Sequence, residues 1–527
     1  MNLLDYIVVA IYLAGLMAFG YILRRQETEK DYFLGGQEMG WFPLTLSTMA
    51  TQLSAISFIS APAFVGLREG GGLKWLTYEL SLPLAMLFVM FVIAPALYRA
   101  KVVSIYDFLQ TRFGFSTRIL ISLSFQIVRS FGTGILIYAP ALLLNAVIDI
   151  PMWQSIAVVG VITLIYSASG GMKAVVYGDA IQMVLIFFGL LVVAGFAIAE
   201  IGGIGAAVAA VDPERLSVID VGSLGFNGDE FGLIPMMFGG FVLYASYYGC
   251  DQTQAQRLLS SKDIKSAQRL LLANGLMRFP LVLIYCLTGL VVGAAILASP
   301  DMMARIPADR PDYMMPVYIV ETLPNGIIGL LLVAILAAAM SSVSSGMNSL
   351  AAVTMEDLRT LGITAKTGEG EVLYARIISV IWGIIILVMA TFAGEIAPTV
   401  IEAINKVGSA LYGPILGVFS LAILSRRVSS VSVDIGLLCG LALNLYFWLY
   451  QPQLFWMWWN FIGLIVTVGI ALILSLVFKP SPRTATNPPA LDPADQPTRQ
   501  TVYILVAAFI LMLIISFGFT AIAVDGP

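Results

Sequence analysis

The chain is 527 residues long, 59% hydrophobic and 11% charged, with mean hydropathy +0.91 and a formal net charge of −4. Soluble globular domains carry about 25% charged residues, so this composition excludes a water-soluble fold and points to an all-α polytopic membrane protein. Histidine is absent, which removes imidazole relays and the usual zinc and copper sites. Cys250, Cys286 and Cys439 fall in or beside apolar runs and imply no disulfide framework.

Hydropathy predicts about fourteen membrane spans. They lie near residues 3–23, 42–67, 75–98, 119–147, 153–169, 174–201, 231–250, 270–297, 318–355, 377–394, 398–425, 431–450, 454–478 and 501–522. The first run contains Asp5, lacks a basic start and ends in Arg24-Arg25, so it reads as a retained helix rather than a cleaved signal. With the N-terminus outside, twenty of the 28 Lys and Arg residues fall on the cytoplasmic side. Only Arg68, Lys74, Arg215, Arg305 and Arg310 lie in outer loops, and Arg129, Arg278 and Lys406 lie within spans. That bias places both termini outside a multi-pass plasma membrane protein, which is the inner membrane in a Gram-negative cell. The outer loops 202–230 and 298–317 are rich in Asp, Pro and Gly and suit lids, while 480–500 reads as a proline-rich cytoplasmic linker. No loop carries a Walker sequence, so transport must use an ion gradient or run downhill. No nucleophile–base–orienter set suggests an enzyme. Nothing points to nucleic acid or to an obligate protein partner.

In chain order, the run Ser47–Ser57 places polar groups on every side of a membrane helix, a sign of an interrupted span. Arg129 lies inside the fourth span, where it can clamp a substrate carboxylate or be neutralised by Glu79 or another buried carboxylate. Asp179 stands about one and a half turns past Lys173 and is a candidate cation ligand, with pairing to Lys173 as the alternative. The segment Leu243–Gln252 shows a second interruption near the inner end of its span, five helices after the first. The uncharged run 327–354 holds Ser341, Ser342, Ser344 and Ser345. At 100° per residue Ser341, Ser344 and Ser345 share one arc, and Ala338, Ser341 and Ser342 share another. Such oxygens either coordinate a hard cation or serve close helix packing. Glu402 and Lys406, four apart, are expected to pair with each other.

The runs Ala50-Thr51-Gln52-Leu53-Ser54-Ala55, Tyr138-Ala139-Pro140-Ala141-Leu142, Gly170-Gly171-Met172-Lys173-Ala174-Val175, Asp251-Gln252-Thr253-Gln254-Ala255-Gln256-Arg257 and Ala338 to Ser349 resemble, in order and spacing, the sodium/solute symporter family. The resemblance implies a LeuT-type inverted-repeat core of five plus five helices over 31–427. One extra helix stands before it, in 1–30, and about three accessory helices follow in 428–527. It implies sodium as coupling ion, bound by Ala50, Leu53, Ala338, Ser341 and Ser342, with a possible additional sodium at Asp179, Ser341, Ser344 and Ser345. The substrate positions it implies are Thr51, Gln52, Ser54, Ser57, Thr77, Arg129 and Tyr247. Sugar-carrying members place Asn, then Gln or His, where this chain has Gln52 and Ser57, and a Glu where it has Lys74. The run Thr133–Leu142 looks like the branch for monocarboxylates, iodide and vitamins, and sialic acid carriers place an arginine near Arg129. The resemblance therefore implies import of an organic anion such as sialic acid or a monocarboxylate, with a sugar or polyol as the alternative. A channel or a non-transporting sensor is the remote one.

Overall fold

The computed structural model describes residues 2–22, 29–148, 150–228, 230–363, 369–479 and 492–525. Arg24, Arg25, Lys366, Arg483 and the linker stretch 480–491 lie outside the described residues. Among the described residues the regular structure is helical, with no strand longer than an isolated bridge.

Helix α1 spans Leu3–Ile22, and α2 (Trp41–Gln52) and α3 (Ala55–Gly66) follow, meeting at a bend of 50°. Leu53 leaves helical geometry there, and the Ser54 side chain accepts from the Ile56 N–H to start α3. The polar run 47–57 is thus interrupted, as its sequence predicts. The segment Leu73–Ala100 crosses next and contains a π-helical turn at Val89–Ile93.

Helix α4 is Phe115–Ile148 and α5 is Met152–Ile201. The spans expected at 153–169 and 174–201 therefore join in one helical stretch of 50 residues. At 1.5 Å per residue that is about 75 Å of helix, more than twice the hydrocarbon thickness of about 30 Å. Helix α6 (Leu233–Cys250) is continuous, and the second interruption falls at Asp251. Asp251 ends α6, and its side chain accepts from the Thr253 N–H at 2.8 Å to start α7 (Gln252–Leu259).

Helices α8 (Ile264–Leu297), α9 (Met314–Thr322) and α10 (Ile327–Thr360) follow, so the span expected over 318–355 is two helices parted at Leu323–Gly326. Next come α11 (Glu369–Ala390), α12 (Val400–Ser409) and α13 (Tyr412–Leu424). The last two form a third broken span, bent by 40°, over the crossing expected at 398–425. Helices α14 (Ser430–Tyr450), α15 (Met457–Leu474) and α16 (Arg499–Asp525) complete the chain. Ten described helices are long and apolar enough to cross a membrane, or twelve if each bent pair is one span. Shorter apolar stretches at Leu3–Tyr12 and Met152–Leu164 stand at two further expected crossings.

The serine-bearing α10 lies at the centre, packed by α1, α4, α5 and α11. Asp5 of α1 caps it, its Oδ1 accepting from the Gly326 and Gly329 N–H groups at 2.6 and 2.8 Å. Helix α3 crosses α8 backbone to backbone. A Cβ at Gly289 would sit 2.6 Å from the Pro62 Cα, and one at Gly293 2.6 Å from the Gly66 Cα. Lipid gives two apolar helices no hydrophobic reason to associate, so such close small-residue contact is what holds them.

Candidate functional site

A helix leaves its last carbonyls without N–H partners, and that end carries partial negative charge. Helix α2 ends inside the bundle, so its final carbonyls face protein. Ser342 of α10 meets them, its Oγ 3.4 Å from the Ala50 O and 3.5 Å from the Thr51 O. These contacts are long for an O–H···O bond, whose usual length is about 2.7–2.8 Å. Ala338 lies one turn before Ser342, Leu53 sits at the break itself, and Ser341 is adjacent; all are buried. Neutral carbonyl and hydroxyl oxygens at a helix C-terminus suit a small hard cation of single charge. Among the described residues no group of three or more His, Cys, Asp or Glu forms a multi-carboxylate alternative.

Asp179 stands on the other side of the serine face, 1% exposed. Its partner is not Lys173 but Arg257 of α7, whose Nη2 lies 2.9 Å from Asp179 Oδ2. The Ser341 hydroxyl donates to Asp179 Oδ1 and the Ser47 hydroxyl to Oδ2. Ser345 accepts from Arg257 Nη2 at 2.6 Å, while the buried Ser344 hydroxyl has no hydrogen-bond partner among the described residues. The structure thus joins Asp179, Ser341 and Ser345 in one cluster and leaves Ser344 beside it.

Six of the seven substrate candidates, Thr51, Gln52, Ser54, Ser57, Arg129 and Tyr247, line a single cavity of about 100 Å³. Thr77 does not: its hydroxyl is buried and donates to the Val218 carbonyl. The cavity lies where the first and third breaks and the C-terminal half of α6 converge, with Tyr412 of α13 among its walls. Arg129 faces Asp251 at 3.6 Å rather than Glu79 and meets Tyr247 as well, while its buried Nε and Nη2 find no hydrogen-bond partner among the described residues.

Glu79 instead takes Arg278 in a two-pronged pair, Nε to Oε2 at 2.9 Å and Nη2 to Oε1 at 3.2 Å. Arg278 Nη1 also donates to the Gln52 Oε1, as does the Tyr248 hydroxyl, at 2.6 Å. A guanidinium only donates, so this pair fixes the amide with its oxygen toward Arg278 and its Nε2 donors turned away. Gln52 and Arg129 both line the cavity, so the groups there that can donate hydrogen bonds include an amide and a guanidinium.

The sequence profile of the sodium:solute symporter family matches residues 32–440. The chain belongs to this family. It is 31% identical over 429 residues to the human sodium/iodide cotransporter, covering 80% of this chain and 65% of that protein. It is 31% identical over 477 residues to a putative sodium-dependent multivitamin transporter of Drosophila melanogaster, covering 85% and 75%. It is 30% identical over 449 residues to sodium-coupled monocarboxylate transporter 1 of Xenopus laevis, covering 84% and 71%. Among solved structures, a Na⁺-coupled sialic acid symporter in its substrate-bound outward-open state aligns with TM-score 0.79 at 24% identity, over 92% of this chain and 99% of that one. Mhp1, a nucleobase-cation-symport-1 transporter, aligns with TM-score 0.52 at 12% identity, over 87% and 98%. These two likenesses establish the LeuT-type fold, and sodium is the family's coupling ion.

In this family member, charge spacing along a helix misleads at α12. Glu402 and Lys406 do not pair. Glu402, 1% exposed, takes Arg68 at 2.8 Å, and Lys406 lies over the Trp448 ring at 5.8 Å. An i, i+4 pair stabilises by only a few tenths of a kcal/mol, whereas a buried carboxylate needs a partner at its own depth. Arg257, Asp251 and Arg278 were missed as site residues. The run Asp251–Arg257 carried a signal, since polar residues on every face of a short helix predict that some are buried, and here all of them are.

Proposed function

We propose that the chain is a sodium-coupled secondary symporter that imports a small organic anion by alternating access. Arg129 carries the anion reading. It lines the cavity beside Tyr247, and its Nε and Nη2, buried and without a hydrogen-bond partner among the described residues, are the two donors a carboxylate would take through parallel hydrogen bonds. Asp251 already balances the Arg129 charge, so an entering carboxylate brings a net negative charge that a sodium ion at Ala50–Ser342 offsets. Thr51 belongs to both places: its carbonyl faces Ser342, and the residue lines the cavity. Sodium drives transport only if its affinity differs between the two access states, and the α2–α3 break is the element whose geometry sets that difference.

Family likeness to monocarboxylate and multivitamin carriers supports the same class. Loop charge supports termini on the outer face of the plasma membrane.

A sodium-dependent thermal shift against lactate, pantothenate, sialic acid, glucose, galactose and inositol tests the reading. Stabilisation by an acid, lost in Arg129→Ala while the sodium shift survives, is the expected result. Stabilisation by the neutral compounds alone replaces it with a sugar or polyol carrier. Substrate-driven counterflow in proteoliposomes separates a carrier from a channel.

A further inference from the structure

The Asp179 cluster stands where the serine arc and the family resemblance led us to expect an additional sodium, and there the chain supplies a cation of its own. Arg257 spends four hydrogen bonds on its surroundings: Nη2 to Asp179 Oδ2 at 2.9 Å and Ser345 Oγ at 2.6 Å, Nε to Ser47 Oγ at 2.8 Å, and Nη1 to the Thr253 O at 2.7 Å. Arg257 and Asp179 are each 1% exposed. The pair is therefore a built ionic centre and not a surface contact.

Sodium and a guanidinium compete for the same lone pairs. Asp179 Oδ2 and Ser345 Oγ already face Arg257, and the cluster contains one carboxylate charge. Two like unit charges about 4 Å apart repel strongly inside a protein, and a single carboxylate charge does not neutralise both. Occupation by one excludes the other.

We infer that Arg257 is the resident cation of the Asp179–Ser341–Ser345 cluster, so that this chain couples to a single sodium, at Ala50–Ser342. The inference rests on the sodium-symport reading and bears on its stoichiometry. A tethered cation differs from a free one in what it can do. Arg257 sits on α7, which begins at the Asp251 break, and it reaches Ser47 on α2, Asp179 on α5 and Ser345 on α10. It ties the second broken helix to the first and is never released to solution. Ser344, which the guanidinium leaves unengaged, supplies a further oxygen once Arg257 is neutralised.

Equilibrium binding of radiolabelled sodium to the purified full chain, with sodium titration of its thermal stability, provides the test. The wild type should bind one sodium per chain with a Hill slope near unity. Arg257→Gln should gain a second, and adding Asp179→Asn should remove it again. Arg257→Lys should stay at one. Two sodium ions in the wild type, falling to one in Asp179→Asn, overturn the inference and leave symport standing. No sodium binding in the wild type overturns the symport reading itself. If Arg257→Gln does not fold, the wild-type and Asp179→Asn stoichiometries decide alone.

Discussion

Arg129 of α4 faces Asp251, the residue that ends α6 and caps α7, at 3.6 Å across the cavity wall. The Tyr412 hydroxyl, at the start of α13, donates to the same carboxylate at 3.2 Å. One side chain thus joins two broken spans to the arginine that lines the cavity. Asp251→Ala should cost about 3–5 kcal/mol, since it removes a helix cap and leaves a buried guanidinium without its counter-charge. Asp251→Asn, which keeps the cap, should cost less. Thermal melts of the two variants in the same detergent measure the difference, and equal losses would mean that the charge contributes nothing.

The Glu79–Arg278 pair positions Gln52, and its substitution should behave as a unit. Removing either partner strands a buried charge, at a cost of about 3–5 kcal/mol, whereas replacing both by Gln and Met should cost much less than the two single changes together. Additive losses in that double-mutant cycle would refute the coupling.

Ser342→Ala removes one oxygen from the set at the α2 break and leaves the Arg257 cluster untouched. Loss of a ligand contact of about 1.4 kcal/mol corresponds to a tenfold rise in the sodium concentration needed for half-maximal stabilisation. An unchanged midpoint in a sodium titration of Tm would place the ion elsewhere.

Asp312 lies in the loop before α9, outside the spans, and its Oδ2 accepts from the Val400 N–H at 2.8 Å to cap α12. Burial pushes its carboxyl up from an ordinary 3.8 to about 7, against the Ser60 hydroxyl and Val400 N–H that favour the anion, and with Glu402 adding to the rise. Asp309 and Arg310 line the same pocket, and Arg68 neutralises Glu402. A folded state that holds its proton more tightly than the unfolded chain is favoured at low pH. The Asp312 contribution is therefore full below about pH 4 and fades as pH rises to about 7. Wild type should gain Tm between about pH 8 and about pH 5 relative to Asp312→Asn. Parallel pH profiles would rule Asp312 out as the titrating group.

The chain alone determined its class, because a composition this apolar has no soluble solution, and it marked the first interruption, because polar groups on every side of a membrane helix have nowhere to go unless the helix stops. Arg129, Asp179 and the serines were also legible, since charge or hydroxyl inside a span is costly without a task. Local spacing could not say which charge meets which. Asp179 took Arg257 and not the nearby Lys173, Glu402 took Arg68 and not Lys406, and Arg129 took Asp251 and not Glu79. Thr77 left the cavity for the Val218 carbonyl, in the segment between α5 and α6. A buried charge is neutralised by whatever opposite charge lies at its own depth, often more than a hundred residues away along the chain. That pairing follows from how the helices pack, and only the tertiary structure decides it.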